Sequence, residues 1–163
     1  VFESDEIVIK PVVGANANDT FWLRPDSLTD LLQQIEALYQ GRLALLQPFI
    51  QSVVEYGETS HIFFDGQHSH SVLKTPKAGD FRVQEEHGSR IQLLQPDAAI
   101  IECAKRALQA VPQHTLYGRV DLVELSNGQQ AVMELELIEP SLYLTYDADS
   151  AERFADAIQR FRA

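Results

Sequence analysis

Tyr117–Glu139 reads YGRVDLVELS–NG–QQAVMELELIE, two alternating apolar and polar runs joined at Asn127-Gly128. Asn-Gly between such runs is a strong hairpin signal. With a two-residue turn, Ser126 pairs with Gln129, and counting outward sets Asp121 opposite Glu134 and Arg119 opposite Glu136. Because side chains alternate across a strand, all four then share one face. Val120, Leu122, Met133 and Leu135 fall on the other face and are expected to build the core. Like charges directly opposite destabilise a sheet, so three carboxylates against one guanidinium need compensation. Divalent cations with hard oxygen ligands supply it, and Glu139 adds a candidate fourth carboxylate. A solvent-facing strand with scattered acids is the alternative.

Working outward, the pattern predicts an α+β fold: an antiparallel sheet with flanking helices. Residues 6–10 (EIVIK) read as a strand, followed by the Gly/Ala/Asn-rich loop PVVGANANDT and a short strand, FWL. Asp26 or Ser27 caps a helix bearing Leu28, Leu31, Leu32, Ile35 and Leu38, closed near Gly41. LALLQPFI is expected to be a buried strand. SHIFF–DG–QHSHSVLK forms a hairpin at Asp65-Gly66, and FRVQ forms a further strand. Helices are expected from Asp97 to Val111, with Cys103 on the apolar stripe, and from Ser150 to Arg162.

The chain has 163 residues and a formal net charge of −11. That charge disfavours nucleic acid, since Lys10, Lys74, Lys77, Arg82 and Arg119 do not cluster in sequence. No apolar run approaches the roughly 18 residues of a membrane span, and one cysteine fits a reducing compartment. A soluble cytoplasmic protein without nucleic-acid or membrane partners is expected. Val1 in place of Met and the early strand lead us to expect truncation at the amino terminus.

Arg119-Val-Asp121 followed by Glu134-Leu-Glu136-Leu-Ile-Glu139-Pro140 resembles the metal-binding end of ATP-grasp ligases. The group it resembles comprises glutathione-synthetase-like, ribosomal-protein-S6-modification-like and cycloserine-type enzymes. Glu136 stands where many members have Asn, and the Pro-Gly that often follows is missing. Ile7-Val-Ile-Lys10-Pro11 with Gly14–Thr20 resembles the family's phosphate-binding strand and loop, which implies that Lys10 meets the α- and β-phosphates of ATP. Gln47-Pro48-Phe49-Ile50 resembles the adenine-binding linker between subdomains, and Gly57-Glu58 a ribose-binding position. Lys74 and Gly79-Asp-Phe-Arg82-Val-Gln84 resemble a block whose cations approach the γ-phosphate and acyl group, with Gly88-Ser89 in place of Gly-Gly. Taken singly, Lys10 also fits a plain strand end, and Phe49 and Ile50 plain core.

The resemblance implies a partial smaller subdomain over 1–46 and a larger one over 47–163 carrying the metal site. It further implies Mg2+ (or Mn2+) held by Asp121, Glu134 and Glu136, with Lys74, Arg82 and Arg119 acting on the transferring group. The expected activity joins a small-molecule carboxylate to an amine through an acylphosphate. The isolated chain is expected to be inactive without the family's amino-terminal region. A nucleotide-binding module without catalysis is the alternative, and a divalent-metal hydrolase is a third. Cys103 and Trp22 are assigned to packing. His68 and His70 are expected to share a solvated strand face, and His61, His87 and His114 carry no motif.

Overall fold

The structure, a computed structural model, describes residues 5–161. It comprises two compact units, one up to Gln51 and one from Ser52 onward. The sequence expectation put this boundary between 46 and 47. Gln47, Phe49 and Ile50 therefore belong to the first unit.

The first unit is an antiparallel sheet of β1 (Ile7–Pro11), β2 (Phe21–Leu23) and β3 (Ala44–Pro48) in the order β2-β1-β3, with α1 (Leu28–Tyr39). Ile35 of α1 packs on Ile9 and Leu23, flanked by Ile7, Phe21, Leu31 and Tyr39. Register and alternation place Val8, Lys10, Trp22 and Gln47 on the opposite face. Trp22 stacks on Phe49 with centroids 3.9 Å apart and donates to Glu6 Oε2 at 2.9 Å. The packing role assigned to Trp22 fits this stack. The expectation of a buried strand at LALLQPFI is corrected. β3 is an edge strand, Leu45 pairs with Lys10 on the face away from α1, and Leu43, Leu45 and Leu46 remain exposed.

The second unit is a five-stranded antiparallel sheet of order β6-β5-β4-β7-β8. Its strands are β4 (Glu58–Phe64), β5 (Gln67–Thr75), β6 (Arg90–Leu94), β7 (Tyr117–Glu124) and β8 (Gln130–Glu136). Its helices are α2 (Ser52–Glu55), α3 (Ala98–Gln109) and α4 (Ser150–Phe161). Arg162, the expected end of α4, lies outside the described residues. Ala104 and Leu108 of α3 pack on Phe63, Val120 and Leu122, with Cys103 at the margin as expected. Ala157 and Phe154 of α4 pack on Ile62 and Phe64. Since Ile62 and Phe64 alternate with Phe63, α4 covers the face opposite α3. It covers the Phe64 end of β4, away from Glu58.

The strand expected at FRVQ is absent, and the strand instead runs over Arg90–Leu94. Asp80 Oδ1 accepts the amides of Phe81 at 2.8 Å and Arg82 at 3.0 Å, and Gly79 has φ +84°. This side-chain turn engages the donors a ladder would need. Asp65 (φ +51°) and Gly66 (φ +73°) make the expected two-residue turn of β4 and β5. Ser69 is then an extra residue, because Phe63 faces His68 whereas Ile62 faces His70.

The hairpin of β7 and β8 matches the expected register at Asp121↔Glu134 and Arg119↔Glu136, by a different route. Leu125 N–H bonds Gln129 O and Gly128 N–H bonds Leu125 O, each at 2.8 Å. The turn thus has three residues, Ser126–Gly128, and pairs Glu124 with Gln130. A bulge between Asp121 and Leu122, with Met133 as the extra residue, restores the count. Val120 and Leu122 are buried as expected, but Leu135 stays partly exposed and Met133 half-buried on the edge strand β8.

Candidate metal centre and nucleotide site

The end of the second sheet away from α4 carries the acidic cluster. Glu58 pairs with Lys74, Ser60 with Asp121, Asp121 with Glu134, and Arg119 with Glu136, so these side chains share one face across β5, β4, β7 and β8. Asp121 is completely buried, and Glu58, Lys74 and Arg119 nearly so. Glu134 and Glu136 are half-buried on β8. One oxygen from each of Asp121, Glu134 and Glu136 lies within 4.8 Å of the others. Three hard oxygen donors at that spacing fit Mg2+ or Mn2+, with water completing the shell.

Two cations already sit among the acids. Lys74 Nζ donates to Asp121 Oδ2 at 2.9 Å and to Glu58 Oε1. Arg119 donates from Nε to Asp121 Oδ1 and from Nη2 to Asp121 Oδ2, each at 3.0 Å, and from Nη2 to Glu136 Oε1. Its Nη1 reaches Ser141 O at 3.3 Å. Burial opposes ionisation of Asp121, but the charges of Lys74 and Arg119 outweigh it and hold that carboxyl well below the usual range. Burial pushes Glu58 up to about 7 despite Lys74. Burial also raises Glu136, partly offset by Arg119. Four carboxylates face two cations, and two of those acids, Glu58 and Glu136, are raised, chiefly by burial.

The other predicted residues are placed as follows. Arg82 is held by Asp80 through a two-point ion pair, Nε to Oδ1 at 3.0 Å and Nη2 to Oδ2 at 2.8 Å. Lys10, Gln47 and Phe49 lie in the first unit, where the Phe49 amide donates to Glu6 O at 2.9 Å. Ile50 follows, half-buried. Asn16, Ala17 and Asp19 in the small-residue loop all adopt left-handed backbone. Glu139 does so too, is exposed, and is not part of the acidic cluster.

The histidine expectation is corrected. The extra residue Ser69 puts His68 and His70 on opposite faces, and neither is solvated as expected: His70 is buried and His68 half-buried. His70 Nε2 donates to Leu142 O at 3.0 Å. On the α3 face, His61 is fully buried between Thr59 and Ser71. Thr59 hydroxyl donates to Leu122 O, so its oxygen accepts from His61 Nε2–H at 2.9 Å. His61 Nδ1 must then accept from Ser71 hydroxyl at 2.8 Å, whose oxygen accepts from His68 Nε2–H at 2.8 Å. No sequence spacing announces this directed chain. Tyr143, whose ring lies 5.6 Å from Arg119 Cζ, was also not anticipated.

No protein-family profile matches the sequence. The chain is 33 % identical, over 96 % of its length and 55 % of the relative's, to the cycloserine biosynthesis protein DcsG of Streptomyces lavendulae. The crystal structure of D-cycloserine synthetase DcsG matches with a TM-score of 0.76 at 34 % identity, covering 96 % of this chain and 55 % of that one. A D-alanine–D-alanine ligase from Bacillus anthracis, complexed with ATP, matches in fold with a TM-score of 0.65 at 18 % identity (95 % of this chain, 51 % of that one). The ATP-grasp ligase PsnB, complexed with Mg and ADP, matches in fold with the same TM-score and identity (96 % and 47 %). The chain thus spans about half the length of the proteins it matches. Over nearly its whole length the chain shares the fold of these ligases, the ATP-grasp ligase PsnB among them, and it shares a third of its residues with a cycloserine synthetase.

Proposed function

We propose that this chain is the nucleotide- and metal-binding part of an ATP-dependent carboxylate–amine ligase. The observation that carries the proposal is the convergence of buried Asp121 and half-buried Glu134 and Glu136 on one sheet face beside Lys74 and Arg119. Those three acids would hold Mg2+ or Mn2+, which when bound neutralises charge on the ATP phosphates. A substrate carboxylate oxygen attacks the γ-phosphorus with ADP leaving. An amine nitrogen then attacks the acyl carbon, displaces phosphate and loses a proton to water. This chemistry asks the protein for positioning and charge rather than for a side-chain nucleophile.

Arg119, already placed between Asp121 and Glu136, orients the transferring group. Lys74 keeps Asp121 ionised and ready to accept a cation. Arg82, aligned by Asp80, is the second guanidinium for phosphate. Lys10, Gln47, Phe49, Ile50 and Glu58 are the candidate nucleotide contacts. The face of the first sheet that carries Lys10, Trp22 and Gln47 is consistent with that role. The likeness to a cycloserine synthetase supports a small amino-acid-like acyl substrate, and the charge of −11 argues against nucleic acid.

Calorimetric titration of ATP with Mg2+, Mn2+ or chelator tests the site. Affinity should depend on metal, and Glu134→Gln should weaken it by about tenfold or more. Unchanged affinity in that variant would remove the metal assignment. Following ADP and inorganic phosphate with candidate acids and amines separates ligase from the alternatives. A module without catalysis binds ATP but releases neither product, and a hydrolase releases phosphate without an acid.

A further inference from the structure

Each nitrogen of the Arg119 guanidinium donates a hydrogen bond, taken by Asp121, Glu136 and Ser141 O. Arg119 Cζ also lies over the ring of Tyr143, 5.6 Å from its centroid, within reach of a cation–π contact. Tyr143 has φ +51° and ψ +34°, a left-handed conformation uncommon for a bulky residue. Such backbone persists where surrounding contacts over-determine it. Those contacts are present: Ser141 O accepts from Arg119, Leu142 O accepts from His70, and Leu142 and Tyr143 pack on the Ile62–Phe64–Ala157 cluster under α4. Tyr146 meets the Tyr143 ring edge-on at 6.1 Å. Three consecutive residues are therefore tied to the site face.

We propose that Tyr143 is a positioning residue: its ring, held in place by the left-handed backbone, keeps Arg119 in the plane between Asp121 and Glu136. In that plane Arg119 bonds both Asp121 and Glu136, two of the three acids that would hold the cation. This rests on the metal-binding assignment above and adds the element that aligns it.

Two variants separate ring from backbone. Tyr143→Phe keeps the ring, and Tyr143→Gly keeps the left-handed φ without strain but removes the ring. The purified chain is titrated with Mn2+ alone, and Arg119 Nε–H exchange is followed by NMR without metal. Tyr143→Gly should weaken Mn2+ binding about fivefold to tenfold and speed Arg119 exchange about tenfold, while Tyr143→Phe stays within about twofold of the parent. Tyr143→Asn, also tolerant of left-handed backbone, repeats the measurement should the glycine variant unfold. Unchanged Arg119 exchange in the ring-less variants, or equal losses in Tyr143→Phe, would overturn the proposal. If the parent chain takes no Mn2+, the metal assignment fails, and Arg119 exchange alone decides the role of Tyr143.

Discussion

Lys74 Nζ lies 2.9 Å from Asp121 Oδ2, reaching from β5 across β4 to a completely buried carboxylate. The same ammonium also bonds Glu58 directly opposite on β4, so one buried cation serves two acids.

Replacing Lys74 with Met should therefore be costly in a pH-dependent way. Breaking a buried ion pair from one side typically costs about 3–5 kcal/mol. Glu58 already has its folded pKa raised to about 7, and loss of Lys74 raises it further. A carboxylate with a raised folded pKa contributes stability at low pH that is lost as pH rises toward that value. Urea denaturation should show a loss of about 3 kcal/mol at pH 8 and about half that at pH 5. A pH-independent loss would mean that Glu58 does not respond to Lys74.

His61 gives a slope of opposite sign. Burial, aided by His68, pushes its imidazole down to about 4. The unfolded chain then takes a proton first, so stability falls as pH drops from about 6.5 toward 4. Glu58 instead favours the folded state as pH drops from about 7 toward 4.5. Glu58→Gln should steepen the acid-side loss, and His61→Asn should flatten it. The hydrogen-bond chain fixes the Nε2–H tautomer, so 15N shifts of His61 should show that form at pH 7. A mixed tautomer population would contradict the chain.

Gly57, immediately before Glu58, has φ +120°, and a Cβ there would stand 2.5 Å from the Lys74 carbonyl oxygen. Backbone must move to admit Ala. The expected cost of Gly57→Ala is about 2–3 kcal/mol by chemical denaturation. A cost near 0.5 kcal/mol, the scatter of ordinary surface changes, would refute this close-approach account.

Glu134→Gln should behave differently with and without metal. Its charge acts to raise both Glu58 and Glu136. In chelator, its removal should lift the melting temperature by about 2 °C. The same change weakens metal-dependent nucleotide binding, so a fall in both measurements would count against charge repulsion.

The clustering of Asp121, Glu134 and Glu136 was legible because two β7–β8 irregularities cancel. A three-residue turn shifts the count by one and the extra Met133 shifts it back. The β4–β5 hairpin has only one irregularity, Ser69. Counting from Asp65-Gly66 would set Glu58 opposite Leu73, yet the actual partner is Lys74. Alternation cannot announce a bulge, because the extra residue leaves composition unchanged. Nor does it give the pairing of Ser60 with Asp121, which joins separate hairpins. FRVQ was misread for a related reason: Asp80 binds backbone amides locally and overrides the strand propensity of Phe81 and Val83.

β8 is hydrogen-bonded to β7 alone among the described strands, and Val132 and Leu135 on it are left partly bare. Glu134 and Glu136 ride on that outermost strand, while Asp121 sits one strand inward, completely buried. Local opening follows the least protected ladder. Unzipping β8 would therefore break up the carboxylate trio, while α3 keeps its packing on Phe63 of β4 and on Val120 and Leu122 of β7. Capture and release of the proposed cation would then run on the timescale of edge-strand fraying, far faster than global unfolding.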